Sequence, residues 1–104
     1  MTQDAVIQLV KRYVGHIRKA GIPVERAFLF GSHTKGTSHK WSDIDACIIS
    51  SVFGKDRQAE RLSLMELTDK ETDRIEPHPY SPEDFSSKFD PLANEIRKTG
   101  IQVA

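Results

Sequence analysis

The segment AFLFGSHTKGTSHKWSDIDACIIS, residues 27–50, decides the fold because it contains two apolar runs separated by a polar, glycine-containing loop. The first run ends at Gly31, a residue without a Cβ, which can turn sharply and lets the backbone approach a ligand closely. The second run follows Asp43 and ends at Ser50. The segment therefore predicts a strand, a loop and a second strand.

The loop has the composition of a phosphate-binding turn. A short helix that begins near Ser32 would point its free N–H groups at an anion, and the Ser32 hydroxyl would add one more donor. Lys35 supplies a compact positive charge in the same loop, and Gly36 again permits close approach of the backbone. We expect Gly31, Ser32 and Lys35 to bind nucleotide phosphates.

Two aspartates open the second strand with a spacing of two. Alternate residues of a strand project to the same face, so Asp43 and Asp45 should share one patch. Two neighbouring carboxylates repel each other unless a cation neutralises them. Magnesium, with manganese as its substitute, accepts one or two protein carboxylates and completes its shell with water and substrate phosphates. The pair predicts a catalytic divalent-metal site.

A third acid is expected from the sequence DRIEPH, residues 73–78. The candidate is Glu76, as a metal ligand or as the base that receives the proton of an attacking hydroxyl. Asp73 is the alternative if the register of the strand is shifted. Pro77 and Pro79 cannot donate hydrogen bonds to a neighbouring strand, so this strand should lie at an edge of the sheet or end near Glu76.

The remaining elements follow from apolar periodicity and capping residues. The predicted helices cover residues 2–20, 56–70 and 91–99, with a short helix after Ser81, and the predicted strands cover residues 26–30, 44–50 and 74–78, with the tail 101–104 as a candidate fourth strand. In the second long helix we expect Ala59, Leu62 and Met65 to face the core and Arg61 to face solvent. The fold class is an α/β sandwich, with a small mixed sheet of three or four strands and helices mainly on one face.

Length and charge limit the function classes. A chain of 104 residues predicts one domain, residues 1–104, without a separate substrate-binding lobe. Fifteen basic and fifteen acidic residues cancel, so no broad nucleic-acid-binding surface is expected. The sequence has no membrane-spanning stretch and no secretory signal, which predicts a cytoplasmic protein. Cys47 is expected to be a small buried residue, and His33 and His39 are expected to be exposed in the loop.

The combined pattern resembles the minimal nucleotidyltransferase (MNT) domains of the DNA polymerase beta-like superfamily. Their signature is Gly-Ser, a spacer and Asp-x-Asp, here Gly31-Ser32 and Asp43-Ile44-Asp45. The resemblance covers nearly the whole chain, because the helices and strands also come in the family's order. It implies that the Gly-Ser turn holds nucleotide phosphates, that Asp43 and Asp45 bind magnesium, and that Glu76 completes a catalytic triad of carboxylates.

The resemblance also implies an activity and a partner. The expected reaction moves a nucleoside monophosphate, AMP from ATP, to a hydroxyl acceptor with release of pyrophosphate. MNT domains often pair with a small helical HEPN toxin and act as its antitoxin, so we expect such a partner or self-association. The alternatives are a non-catalytic nucleotide-binding antitoxin or regulatory subunit, and a small-molecule nucleotidyltransferase of the aminoglycoside type. A Walker phosphate loop is excluded, because Thr37 stands where that motif requires lysine.

Overall fold

The computed structural model describes residues 1–38 and 42–104, and in these residues five helices flank one mixed four-stranded sheet. The strand order is β3-β2-β1-β4, with β3 and β4 at the edges. This arrangement confirms the predicted fold class. The helices are α1 (Gln3–Lys19), α2 (Ser32–Lys35), α3 (Arg57–Met65), α4 (Pro82–Ser86) and α5 (Pro91–Thr99); the strands are β1 (Arg26–Phe30), β2 (Ile44–Ile49), β3 (Ile75–Tyr80) and β4 (Ile101–Gln102).

The pairing of β2 with β3 explains how a strand can contain two prolines. The strands run parallel, and the carbonyls of Arg74 and Tyr80 accept hydrogen bonds from the amides of Ile44 and Ser50, at the two ends of β2. In a strand both backbone polar groups of a residue point to the same side. The even-numbered residues of β3 therefore face β2, while the nitrogens of Pro77 and Pro79 point away from the sheet, where no donor is needed. The predicted edge position of this strand is confirmed.

One face of the sheet is covered by α1 and α3. Helix α1 begins at Thr2, whose hydroxyl accepts a hydrogen bond from the amide of Ala5, and it buries residues at three- and four-residue intervals. The Tyr13 hydroxyl donates to the carbonyl of Leu64, which joins the two helices. Helix α1 contributes five buried residues to this core layer: Val6, Val10, Tyr13, Val14 and Ile17.

Helices α4 and α5 cover part of the opposite face, a feature that the sequence did not indicate. Phe85 of α4 stacks on Phe28 with ring centroids 5.2 Å apart, and Ile96 of α5 is fully buried in the same layer. The Ser81 side chain caps α4 and the Asp90 side chain caps α5. At the start of β2 and β3, Asp43 is exposed and Asp45 and Glu76 are partly exposed, so these acidic side chains remain accessible.

The predicted orientation of α3 was wrong. The helix ends at Met65, and Ala59, Leu62 and Met65 are exposed, while Leu64 is the buried residue. The buried side of α3 is set by its neighbours: Leu64 packs in the core layer beside α1, where its carbonyl accepts a hydrogen bond from Tyr13. Arg61 lies on the side of α3 that faces β3, where it pairs with Glu76 and stays partly exposed. Packing in the tertiary structure thus overrides the apolar pattern of a short helix.

The loop histidines were also predicted to be exposed, and His33 is buried instead. Gln3 donates a hydrogen bond to the carbonyl of His33, and the Nε2 atom of the His33 ring lies 3.5 Å from the carbonyl oxygen of Ser42. His33 therefore anchors the loop to α1. His39 lies outside the described residues. Within residues 1–38 and 42–104, no helix has both the length and the apolar character that crossing a bilayer requires.

Candidate functional site

Gly31 and Asp45 form the centre of the site. Phe30, at the end of β1, pairs with Asp45 on β2. Gly31, the next residue of the chain, therefore lies beside the Asp45 carboxylate. Gly31 has φ +82° and ψ −148°, a conformation essentially restricted to glycine. A Cβ added there would lie 2.5 Å from the Asp45 Oδ2 atom, which is closer than atoms can approach. Two features therefore require glycine at position 31: the backbone angles, and the closeness of the Asp45 carboxylate.

The predicted phosphate-binding residues fall in and next to α2. Ser32 is the first residue of this single-turn helix, directly after the bend, and it is partly exposed. The Thr34 hydroxyl donates to the carbonyl of Gly31 and fixes the start of the turn. Lys35 is exposed on the last position of α2, where its Nζ binds Glu95 of α5. The structure thus places Ser32 at the bend with Gly31, and gives Lys35 a carboxylate partner of its own.

The three predicted acids occupy one end of the sheet. Asp45 and Glu76 are register partners on β2 and β3, so their side chains project from the same face of strands about 4.8 Å apart. Asp43 is exposed just before β2, and no side chain among the described residues pairs with its carboxylate. Asp73, the alternative third acid, is exposed before β3 begins. Within the described part of the chain, no three His, Cys, Asp or Glu side chains converge into a group that could hold a metal ion.

Two basic residues, which the sequence analysis did not assign to the site, contact these acids. The Arg61 Nη2 atom donates to Glu76 Oε1 at 3.0 Å, from α3 across the edge of the sheet. The His78 Nε2 atom lies 3.2 Å from Asp45 Oδ1, so one oxygen of this carboxylate faces His78 and the other faces Gly31. The alternation of β3 could have indicated His78, because it shares a face with Glu76.

Two titratable side chains on this face of the sheet, Cys47 and Tyr80, are buried. Burial raises the pKa of the Cys47 thiol to about 12, so the thiol stays protonated at neutral pH and is not a nucleophile. Burial and a hydrogen bond to Asp90 raise the pKa of Tyr80 to about 12. Cys47 and Tyr80 are therefore both protonated at neutral pH.

The chemistry of the donor set fits a divalent ion on two of the acids. Carboxylate oxygens are hard ligands that suit magnesium or manganese. The missing Cβ of Gly31 leaves space beside Asp45 Oδ2, and Asp43 has no competing side-chain partner in the described residues. Glu76 would have to release Arg61 before it joined the same ion.

The family of the chain is given by its sequence. Residues 8–99 match the nucleotidyltransferase domain family. The chain belongs to this family. The match spans α1 through α5 and therefore includes Gly31, Ser32 and the three acids. No curated protein sequence matches the chain.

Solved structures of similar fold agree with this membership. A candidate nucleotidyltransferase from Sulfolobus solfataricus aligns with a TM-score of 0.66 at 16% identity, over 96% of this nucleotidyltransferase and 80% of that chain. A toxin–antitoxin with AMP-PNP aligns with a TM-score of 0.53 at 20% identity, over 100% and 73% of the two chains. A mutant of the toxin–antitoxin MntA-HpeT aligns with a TM-score of 0.51 at 17% identity, with the same coverage. At these identities the likeness shows a shared fold.

Proposed function

We propose that this nucleotidyltransferase transfers AMP from ATP to a hydroxyl acceptor, with a divalent ion held by Asp43 and Asp45. The observation that carries the proposal is the contact of Gly31 with Asp45, because it puts a bend with open backbone directly beside a carboxylate. A triphosphate at Gly31 and Ser32 would then reach an ion on the two aspartates. The family membership and a neighbour of the same fold that was solved with AMP-PNP support this assignment.

Each group of residues at the site would have its own role in the reaction. The bend at Gly31 and Ser32 would orient the β- and γ-phosphates, and Asp43 and Asp45 would hold the divalent ion. The acceptor oxygen forms a bond to that phosphorus, the bond between the α-phosphorus and its bridging oxygen to the β-phosphate breaks, and pyrophosphate leaves. Glu76 receives the hydroxyl proton. When bound, the ion would supply charge neutralisation for the attacking and leaving oxygens.

The proposal is tested by transfer of label from α-labelled ATP in the presence of magnesium, with pyrophosphate release measured in parallel. Asp45→Asn should reduce both signals by at least about a hundredfold, since it removes the charge that holds the ion. Asp4→Asn is the matched control, because this aspartate is exposed in the first turn of α1 and belongs to neither β2 nor β3; it should behave like the wild type. A folded Asp45→Asn protein with wild-type transfer would refute the proposed function.

We further propose that the acceptor belongs to a partner protein, a helical toxin of the HEPN type, toward which this chain acts as an antitoxin. Two structures of the same fold are described as toxin–antitoxin complexes, which supports such a pairing. Co-expression of the chain with the neighbouring reading frame tests it. A co-purified helical protein with added AMP mass is the expected result, and a partner of unchanged mass that still binds would contradict the modification.

A second candidate function is nucleotide binding without turnover, in an antitoxin or regulatory subunit. The observation that favours it is the ion pair of Glu76 with Arg61, since a guanidinium on the third acid competes with its use as a ligand or base. Calorimetry with magnesium and ATP separates the two functions. Tight binding with no pyrophosphate release, with or without partner, would select this second function.

A further inference from the structure

The contact between His78 and Asp45 joins two neighbouring strands. Cys47 is the register partner of His78, and Asp45 precedes Cys47 by two residues, so the histidine and the aspartate are diagonal neighbours on one face of the sheet. The His78 Nε2 atom lies 3.2 Å from the Asp45 Oδ1 atom. Glu76, the direct register partner of Asp45, binds Arg61 instead. Asp45 therefore takes a side-chain partner from the diagonal position.

Packing holds the His78 ring in place. The ring lies in an edge-to-face arrangement with the ring of Phe30, with centroids 5.0 Å apart and an angle of 66° between the planes. Phe30 is itself buried, and it directly precedes Gly31. The side chains of His78 and Asp45 expose only 22% and 26% of their surface. A hydrogen bond between two largely shielded groups is stronger than one in water, so it can hold a side chain in one orientation.

The two oxygens of the Asp45 carboxylate have different surroundings. Oδ1 faces His78, and Oδ2 faces the space beside Gly31. The terminal torsion of an aspartate is broad and nearly two-fold, so a carboxylate without a partner can rotate and exchange its oxygens. A donor on Oδ1 removes this freedom. His78 therefore leaves Oδ2 as the oxygen directed at the bend.

The imidazole of His78 is chemically suited to this contact. An ionised carboxylate only accepts hydrogen bonds, so the contact requires the histidine tautomer that carries its hydrogen on Nε2. A neutral imidazole can donate in this way without placing a positive charge beside a bound cation. The guanidinium of Arg61 is always charged, so its contact with Glu76 opposes the binding of a cation.

We infer that His78 is a positioning residue of the proposed metal site. It holds Oδ1 of Asp45 and thereby keeps Oδ2 available for a divalent ion. Magnesium demands near-ideal octahedral geometry, and removal of a hydrogen bond that orients a metal ligand typically lowers metal affinity about 10- to 100-fold. This role rests on the proposed function, in which Asp45 holds the ion.

Two substitutions separate the hydrogen bond from the packing of the ring. His78→Phe keeps an aromatic ring against Phe30 and removes the donor, whereas His78→Gln removes the ring and keeps an amide donor at a similar reach. Titration with manganese in the absence of nucleotide, followed by electron paramagnetic resonance, measures metal binding. We expect His78→Phe to weaken manganese binding at least about tenfold, and His78→Gln to stay within about threefold of the wild type.

His16→Phe is the matched control. His16 lies on α1, where its Nε2 atom lies 3.8 Å from the Asp69 carboxylate, so the substitution removes a similar histidine–carboxylate pair away from the site. This variant should keep the wild-type affinity for manganese. Urea unfolding shows whether each variant is folded. His78→Leu, which also lacks a donor, takes the place of His78→Phe if that protein does not fold.

Two results would overturn the role of His78. One is a manganese affinity in His78→Phe that equals that of His16→Phe. The other is an equal loss of affinity in His78→Phe and His78→Gln, which would assign the effect to the ring and not to the hydrogen bond.

Asp45→Asn distinguishes these failures from failure of the proposed function. If Asp45→Asn binds manganese at least about tenfold less tightly than the wild type, Asp45 holds the ion and only the role of His78 fails. If Asp45→Asn binds manganese as tightly as the wild type, or if the wild type binds no manganese, the proposed function fails together with the role of His78.

Discussion

Replacing Gly31 by alanine tests the junction between the bend and the carboxylate. The backbone angles of Gly31 cost another residue about 1–3 kcal/mol. The new Cβ would also lie 2.5 Å from Asp45 Oδ2 and force that side chain from its rotamer, at a further cost of about 0.5–1.5 kcal/mol. We expect Gly31→Ala to lose about 1.5–4.5 kcal/mol of unfolding free energy, and to misplace the carboxylate that we propose to hold the ion.

Gly21→Ala provides the matched control. Gly21 also has a positive φ, +92°, but a Cβ there meets no atom within 4 Å, so the variant carries the backbone cost alone, about 1–2 kcal/mol. Urea unfolding measures both losses, and calorimetry measures the affinity for magnesium and ATP. Affinity should fall at least about tenfold in Gly31→Ala and stay unchanged in Gly21→Ala. Equal stability and equal affinity of the two variants would show that Gly31 and Asp45 do not act together.

Three further predictions concern the surrounding contacts. Arg61→Gln should change the free energy of unfolding by less than about 1 kcal/mol, because the ion pair of Arg61 with Glu76 is partly exposed. The same variant should bind manganese more tightly, as measured by electron paramagnetic resonance, because it frees the Glu76 carboxylate. Weaker manganese binding would contradict this prediction. Asp90→Ala should cost about 1–3 kcal/mol in urea unfolding, because it removes the cap of α5 and the hydrogen bond from Tyr80; a loss below about 0.5 kcal/mol would contradict it. Ultraviolet titration of the native protein should show little tyrosinate at about pH 10, because burial raises the pKa of Tyr13 and Tyr80. Unfolding free energy should then fall as the pH rises above about 10, since the unfolded chain releases protons that the folded chain keeps, and stability that is constant to pH 11 would contradict it.

Local signals explain which parts of the fold the sequence predicts well. The bounds of β1 and α5 are as predicted, because glycine and proline punctuate the chain around them and Asp90 is a strong cap. The edge position of β3 follows from its prolines. The orientation of α3 is not a local property: its buried residue, Leu64, packs against α1, which lies far away in the sequence.

At the candidate site, too, contacts set by local sequence are predictable, and contacts set by long-range packing are not. Gly31 and Asp45 belong to consecutive strands joined by one loop, so their proximity can be anticipated from the sequence. The contacts of Arg61 and His78 depend on the parallel register of β2 and β3, which is set by long-range packing. Two parallel strands must be joined by a crossover connection, which here contains α3. The length of that connection does not determine which residues of β2 and β3 lie side by side.

The most direct test of the central claim is a crystal structure of the wild-type protein with magnesium and an ATP analogue whose bond between the α- and β-phosphates cannot be cleaved. The account predicts an ion on Asp43 and Asp45, with the β- and γ-phosphates at Gly31 and Ser32. A nucleotide bound elsewhere, or an ion that neither aspartate contacts, would contradict it.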